Sequence, residues 1–181
     1  MAVAYFYFDF VHDGKQTHEH LLHSLIIQIS TQTNPFPQGL KRLYKTKLQG
    51  SYPASYTEIL KEFDTLLLNG DFGVTYIMTD ALDECINIEK ALELIDHLRL
   101  LKLSNLRLLV TSRREQNIEE YLTEEKEDLT MAPISLRGQN VEREIQTYIS
   151  YQLSNKKPFN LWPKEILAKV QQVLTAQANG M

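Results

Sequence analysis

The segment that most constrains this chain is residues 73–84, where an apolar run ends in three carboxylates. The run reads Gly-Val-Thr-Tyr-Ile-Met-Thr and is followed by Asp80, Ala81, Leu82, Asp83 and Glu84. Strand-forming residues in near-continuous succession are typical of a strand in a parallel sheet that is covered on both faces. Because carboxylates are rarely buried unpaired, we expect Asp80 at the carboxyl end of this strand, where open α/β sheets bind ligands.

The three acids have two interpretations. Asp83 and Glu84 follow Asp80 on the next turn, close enough to share a metal, a water or a proton with it. Hard oxygen ligands suit Mg²⁺, and a second carboxylate can orient an attacking water, so the group fits a site for phosphoryl transfer. Acids are also common in solvated loops and at helix N-termini, where the helix dipole favours them. The residues alone leave both interpretations open.

Composition excludes several classes of protein. The chain has 181 residues, enough for one domain with the beginning of another. A net charge of -4 and a pI near 5.7 give no basic surface for nucleic acid. The single cysteine, Cys85, excludes an internal disulfide, and the neighbouring acids should raise its thiol pKa. No stretch resembles a membrane span or a signal peptide, so we expect a cytoplasmic protein without membrane contact.

Strand and helix patterns alternate along the chain. Residues 2–10 are β-branched and aromatic, and the helix pattern that follows places Leu21, Leu22, Leu25 and Ile29 on one face. Further helix patterns lead to the central run, to a second apolar run at 106–112, and to a short strand pattern at 131–136. Such alternation predicts βα units and an α/β fold with a parallel sheet.

The second apolar run ends in Thr111, Ser112 and Arg113. If its strand is parallel to the central one, Arg113 lies at the same sheet edge as Asp80. An arginine there can bind phosphate oxygens bidentately. The alternative is an ordinary salt bridge from Arg113 to Glu115 or Glu119.

Two other motifs lack residues that the corresponding sites require. Gly14-Lys15 is followed by Gln16 rather than Ser or Thr, and the loop lacks the glycines that a phosphate-binding loop needs. Of His18, His20 and His23, only the last two share a helix face, and they lack a carboxylate partner. We therefore expect neither a P-loop nor a zinc site at these positions, and we interpret the histidines as exposed helix residues.

Together these segments resemble the NACHT-type branch of the STAND P-loop NTPases, in particular the nephrocystin-like NACHT domains of large fungal proteins. Tyr-Phe-Tyr-Phe-Asp-Phe at 5–10 is similar to the strand after the P-loop helix, and Leu-Leu-His-Ser-Leu-Ile at 21–26 to the next helix. Asp-Ala-Leu-Asp-Glu at 80–84 is similar to the extended Walker B motif. Leu-Leu-Val-Thr-Ser-Arg at 108–113 resembles the sensor 1 strand, although Arg114 stands where the family often has proline.

The resemblance implies an oligomerising switch driven by ATP or GTP. Asp80 would hold Mg²⁺ directly or through water, and Asp83 or Glu84 would polarise the attacking water. Arg113 would sense the γ-phosphate, with Thr111 beside it in the nucleotide site. The implied fold is a P-loop NTPase-like parallel three-layer sheet with helices on both faces. Residues 1–138 would form the nucleotide-binding core, and 139–181 the first helices of a helical region.

One departure limits these expectations, because the Walker A loop, its strand and its helix are absent from the sequence. The resemblance then predicts an empty slot between the strands at 106–112 and 131–136, where unpaired backbone invites association. We expect a partial NACHT domain that binds or hydrolyses nucleotide poorly alone, with Mg²⁺ and ATP or GTP as cofactors of the complete domain. Its expected partners are other NACHT protomers or flanking repeat and effector domains.

Two alternatives remain open. The chain would act as a nucleotide-independent interaction module if its exposed strand edges pair with intact NACHT proteins. A receiver-like phosphorylation site would use Asp80 and Thr111, but it needs a lysine after the last strand, where Arg137 stands.

Overall fold

The computed structural model describes residues 1–48, 52–70, 72–124, 132, 134, 139–159 and 161–177. These residues fall into two compact units, 1–126 and 127–181. The predicted boundary at 138 lies in a segment that is mostly outside the described residues, and it stays a prediction. The same is true of the predicted strand at 131–136.

The first unit is an α/β fold built on three parallel strands in the order β1-β2-β3. Its elements in chain order are β1 (Ala2–Tyr7), α1 (His18–Ser30), α2 (Gln38–Leu48), α3 (Tyr56–Asn69), β2 (Thr75–Asp80), α4 (Ile88–Leu100), β3 (Leu106–Val110) and α5 (Gln116–Glu124). The second unit holds α6 (Gln139–Asn155) and α7 (Lys164–Gln177). The predicted parallel α/β class is therefore confirmed.

The hydrophobic core lies on one face of the sheet. Alternate residues of β1 and β2, such as Phe6 and Ile77, point into it together with the buried faces of α1, α3 and α4. The helix face predicted from the periodicity of α1 is fully buried. Thr17 and Ser55 cap the N-termini of α1 and α3 by accepting backbone N–H groups, so the polar ends of both helices are satisfied beside this core.

The opposite face of the sheet is exposed in the described structure. Tyr5 and Tyr7 of β1, Tyr76 of β2 and Leu109 of β3 are each between 41% and 55% exposed. Their positions follow from the pleat, since neighbouring residues in a strand point to opposite faces. Parallel sheets are normally covered on both faces, so this surface is unusual for its class.

The outer edge of β1 is closed by two glutamine side chains, Gln28 of α1 and Gln32 of the turn that follows α1. Gln32 Oε1 accepts a hydrogen bond from Val3 N at 3.0 Å, and Gln32 Nε2 donates to Val3 O at 2.7 Å. Gln28 makes the same pair of bonds to Tyr5, at 3.1 and 2.7 Å. The two amides, one helical turn apart, thus replace the backbone of a neighbouring strand. They satisfy groups that would otherwise template strand addition.

We expect the double substitution Gln28→Leu and Gln32→Leu to destabilise the protein and promote its association. The loss of four hydrogen bonds at a partly solvated edge should cost about 1–3 kcal/mol in the free energy of unfolding. Urea unfolding and light scattering at increasing protein concentration measure the two effects. The control is Gln172→Leu, at an exposed position of α7. Equal behaviour of the double variant and the control would contradict a capping role.

Candidate functional site

The candidate site lies at the carboxyl ends of the three strands. Parallel pairing aligns Asp80 of β2 with Tyr7 of β1, and Thr79 with Val110 of β3, so the polar residues that follow each strand meet at one edge. Arg113 therefore emerges at the same edge as Asp80, as the parallel arrangement predicts. The site is built from strand ends and the turns after them, which is the usual location for ligands in open α/β sheets.

Asp80 is held by the strand beside it. The Thr111 hydroxyl donates a short hydrogen bond to Asp80 Oδ1, and Thr111 Oγ1 in turn accepts the Ala81 N–H at 3.2 Å. The backbone continues this link, because Thr111 N donates to Thr79 O at 2.9 Å and Leu82 N donates to Thr111 O at 3.0 Å. Asp80 is half-buried. One carboxylate oxygen is thus fixed by a neutral donor, and no cation neutralises its charge through this contact.

The turn after β2 brings Asp83 and Glu84 back toward the sheet. Ala81 adopts a left-handed conformation with φ 53°, which reverses the chain into a short 3-10 turn over Leu82–Glu84. Leu82 is completely buried and anchors this turn in the core. A non-glycine residue with positive φ is uncommon and costs conformational energy. The buried Leu82 side chain and the bonds to Thr111 hold it in place.

Asp83 connects the turn to the end of β3. Its Oδ1 accepts the Arg113 N–H at 2.9 Å, and its Oδ2 lies 3.5 Å from Arg113 Nε. The Ser112 hydroxyl is 3.3 Å from the same Oδ1. The Asp83 side chain is 5% exposed, whereas that of Arg113 is 61% exposed. The partner of Arg113 is therefore Asp83, and neither of the predicted alternatives, Glu115 and Glu119, makes this ion pair; Glu119 pairs with Arg114 instead.

Glu84 faces the loop after β1. Its Oε2 accepts the Phe10 N–H at 3.3 Å, a long and weak bond. The two acids that follow Asp80 therefore differ in their surroundings. Asp83 is enclosed by donors from the β3 end, while Glu84 makes one long contact.

The loop after β1 contributes a fourth acid that sequence reasoning did not select. Asp9 comes two residues after the end of β1, and it lies beside the same edge as Asp80, the last residue of β2, because Phe8 N donates to Asp80 O. Its carboxylate accepts the Val11 N–H at 2.8 Å and lies 2.5 Å from His12 Nδ1. The backbone hydrogen bond and the His12 contact lower the pKa of Asp9. The recurring pattern of strand followed by acid was the available signal.

The cysteine and the histidines have structural surroundings. Cys85 is buried, and burial is the main cause that raises the pKa of its thiol. Sequence reasoning gave the same direction but attributed it to neighbouring acids. His23 is exposed as predicted, but His18 and His20 are half-buried. The His18 ring packs against the Tyr56 ring of α3, with the two ring centroids 5.0 Å apart. Helix periodicity alone did not indicate this contact.

Within the described ranges, no three His, Cys, Asp or Glu side chains lie close enough together to form a metal site on their own. Mg²⁺ is usually held by one or two carboxylates together with water and phosphate, so a strand-end aspartate still fits that ion. None of the helices in the described part of the chain is both long and apolar enough to cross a bilayer.

The three parallel strands, with acids at the carboxyl ends of β1 and β2, define an open α/β region with its candidate site at one sheet edge. The model of the family described as "Nephrocystin 3, N-terminal" matches residues 1–113, which include all three strands and the candidate site. The chain belongs to this family. The predicted family resemblance is thereby confirmed.

One curated relative is similar over most of the chain. It is the vegetative incompatibility protein HET-E-1 of Podospora anserina, 23% identical over 153 residues. The match covers 84% of this chain but 11% of that protein, so the chain spans about a tenth of its relative's length. No solved structure matches the chain.

We expect Asp83→Ala to loosen the end of β3. The substitution removes the charged acceptor of the Arg113 backbone N–H and should lower the free energy of unfolding by about 1–3 kcal/mol. Amide hydrogen exchange at Arg113 should accelerate. Asp83→Asn keeps an oxygen acceptor and should lose less, while Glu144→Ala, at an exposed position of α6, serves as a control. Unchanged exchange at Arg113 in Asp83→Ala would contradict the proposed link.

Proposed function

We propose that this chain supplies the metal-binding and phosphate-sensing side of a nucleotide-dependent switch domain. The observation that supports it best is the meeting of Asp80, Glu84 and Arg113 at one edge of a parallel sheet, in a member of the nephrocystin 3 N-terminal family. An acid for Mg²⁺, an acid for water and a cation for phosphate are the groups that phosphoryl transfer requires.

The site geometry favours particular roles. Asp80 is the metal ligand in this proposal, because it ends β2 at the sheet edge and one of its oxygens is fixed by Thr111. Its oxygen atoms are hard ligands of the kind that Mg²⁺ prefers. When bound, the ion would neutralise charge on the phosphates of ATP or GTP. Thr111 orients Asp80 and thereby belongs to the nucleotide site.

Asp83 and Glu84 have different roles in this proposal. Asp83 is enclosed and already bonded to Arg113 through the backbone N–H and the guanidinium, so we assign it to positioning. Glu84 makes one weak hydrogen bond and is the better base for an attacking water. Arg113 extends its guanidinium into solvent, where it can meet a γ-phosphate oxygen.

The phosphate cradle is absent from these 181 residues. A run of backbone N–H groups and a lysine normally hold the β- and γ-phosphates, and no GxxxxGK[ST] segment occurs in this sequence. The chain alone is therefore proposed to bind nucleotide weakly and to hydrolyse it little. In this proposal its activity depends on polypeptide that brings such a loop to the carboxyl end of the sheet.

Calorimetric titration tests this assignment. We expect no micromolar binding of MgATP or MgGTP to the chain alone, and binding when a strand, a GxxxxGK[ST] loop and a helix are fused ahead of it. In the fused protein, Asp80→Asn should weaken binding in Mg²⁺ by about tenfold and change it little in EDTA. Glu144→Gln is the matched control. Micromolar binding by the chain alone, or a fused Asp80→Asn protein with normal Mg²⁺-dependent affinity, would overturn the proposal.

A nucleotide-independent interaction module is the second candidate. Asn105 O and Thr111 N form hydrogen bonds with β2, and backbone groups of successive residues in a strand point to opposite sides. Leu108 and Val110 therefore direct their N–H and C=O groups away from β2. Within the described residues no strand pairs with this side of β3. It is thus an edge onto which another protein can add a strand.

This candidate predicts association through β3. We expect the chain to co-purify with a full-length NACHT protein whether or not ATP is present. Leu108→Pro, which removes an outward N–H, should abolish the association, whereas Val3→Pro at the capped β1 edge should not affect it if the variant folds. Circular dichroism verifies folding of both variants. Association that requires ATP would exclude this candidate.

A further inference from the structure

The turn that joins α6 to α7 presents apolar side chains between lysines. We call residues 156–164 the α6–α7 turn, and their sequence is Lys-Lys-Pro-Phe-Asn-Leu-Trp-Pro-Lys. Leu161 is 90% exposed and Trp162 is 41% exposed. The three lysines of the turn are also exposed: Lys156, Lys157 and Lys164. Large apolar side chains that stand together at a surface mark an interaction site.

Hydrogen bonds and ring packing hold the α6–α7 turn. Phe159 N donates to Lys156 O at 3.0 Å, and Trp162 N donates to Phe159 O at 3.0 Å. The rings of Phe159 and Trp162 pack edge to face, with their centroids 5.2 Å apart. Pro158 and Pro163 restrict the backbone further, because the proline ring fixes φ. The exposed side chains therefore belong to a preorganised turn, which loses little conformational freedom when it binds a partner.

We propose that the α6–α7 turn is a peripheral membrane site that binds the surface of an anionic phospholipid bilayer. Leu161 enters the boundary of the acyl chains, Trp162 lies at the level of the headgroups, and the lysines contact anionic lipid headgroups. The inference goes beyond the proposed nucleotide function and does not depend on it. The expectation of no membrane contact rested on spanning segments and signal peptides, and neither of these bears on surface binding.

The charge pattern around the turn favours an anionic partner. Between Glu144 and Glu165 the sequence contains three lysines and no acid, although the whole chain has a net charge of -4. In the part of the chain that the structure describes, the lysines that form ion pairs are Lys47 and Lys90, and those of the α6–α7 turn form none. Unpaired lysines at a surface are attracted by the negative potential of anionic lipids.

The residue types favour a bilayer over a protein or a nucleic acid. Lysine is depleted in protein interfaces, whereas tryptophan and lysine are both typical of the boundary between membrane and water. Nucleic-acid bases stack on aromatic rings, and a leucine side chain offers no ring for them. The most exposed apolar side chain of the turn is Leu161, and acyl chains are the partner that this side chain fits best.

Tryptophan fluorescence tests the site directly. Trp162 is the only tryptophan of the chain, so the emission of the full 181-residue protein reports on this turn alone. We expect a blue shift when vesicles of phosphatidylcholine and phosphatidylserine, at a ratio of about 7 to 3, are added, and quenching by lipids with brominated acyl chains. Vesicles of pure phosphatidylcholine should give a much smaller shift. The absence of a shift with the anionic vesicles, or an equal shift with both, would overturn the proposal.

Substitution of the exposed leucine locates the contact. Leu161→Glu places a carboxylate where an apolar side chain meets the bilayer, and it should weaken binding at least tenfold in vesicle flotation. The matched control is Leu100→Glu, at an exposed leucine of α4, which should bind like the unmodified chain. Both positions are exposed, and thermal unfolding confirms that each variant folds. Normal binding by Leu161→Glu, or equal loss in the control, would contradict the assignment.

Substitution of the lysines tests the electrostatic part of the site. Each basic residue near an anionic surface strengthens binding about fivefold, so the double variant Lys156→Gln and Lys157→Gln should bind roughly 25-fold more weakly. The control is Lys41→Gln with Lys45→Gln, at exposed positions of α2, which removes the same charge elsewhere. Equal weakening in both double variants would show that binding follows net charge, and it would overturn the site.

A single-stranded oligonucleotide tests the alternative ligand. We expect an oligothymidylate to leave the Trp162 emission unchanged, because the leucine of the turn cannot stack on bases. Saturable binding of this probe at Trp162, undiminished in Leu161→Glu, would replace the bilayer with a nucleic acid and overturn the proposal.

Discussion

The position of β2 between β1 and β3 is the constraint on which the rest of the structure depends. Parallel pairing on both sides fixes the heights of the strand ends, and with them the heights of the polar residues that follow. Asp80 therefore meets Thr111, and Asp83 meets Arg113, through hydrogen bonds that a shift of one residue would break. The same shift would exchange the buried and exposed faces of the strand. Core burial thus specifies the geometry of the site.

The two edges of the sheet have opposite character. At β1 the backbone groups of Val3 and Tyr5 are satisfied by glutamine amides, so this edge is closed to strand addition. At β3 the outward groups of Leu108 and Val110 are not paired with any strand in the described residues. If the chain associates by extending its sheet, it can therefore do so in one direction. This difference between the edges comes from the positions of Gln28 in α1 and Gln32 just after it, and not from the strands themselves.

Sequence reasoning recovered the fold class and the placement of Thr111 and Arg113 after the strand beside Asp80, because both follow from hydrophobic periodicity and the geometry of parallel strands. It did not recover the difference between Asp83 and Glu84. That difference depends on the left-handed Ala81, which turns Asp83 toward the Arg113 N–H, and no local pattern marks alanine for positive φ. Asp9 was missed because its loop was compared with a phosphate-binding motif and not with the acid at the end of β2. The caps formed by Gln28 and Gln32 were also not predicted, since no sequence pattern distinguishes these two glutamines from others in the chain.

The exposed face of the sheet, which carries Tyr5, Tyr7, Tyr76 and Leu109, differs from what the sequence of β2 predicts. Tyr76 and Met78 are the residues that make the run in β2 continuous. With polar residues at these two positions the pattern would alternate, and it would predict a sheet with one solvent-exposed face. The sequence of β2 therefore predicts burial on both faces of the sheet, whereas the structure leaves this face exposed. The free energy of burying such side chains, about 25 cal/mol per Å² of apolar surface, is available to whatever covers them.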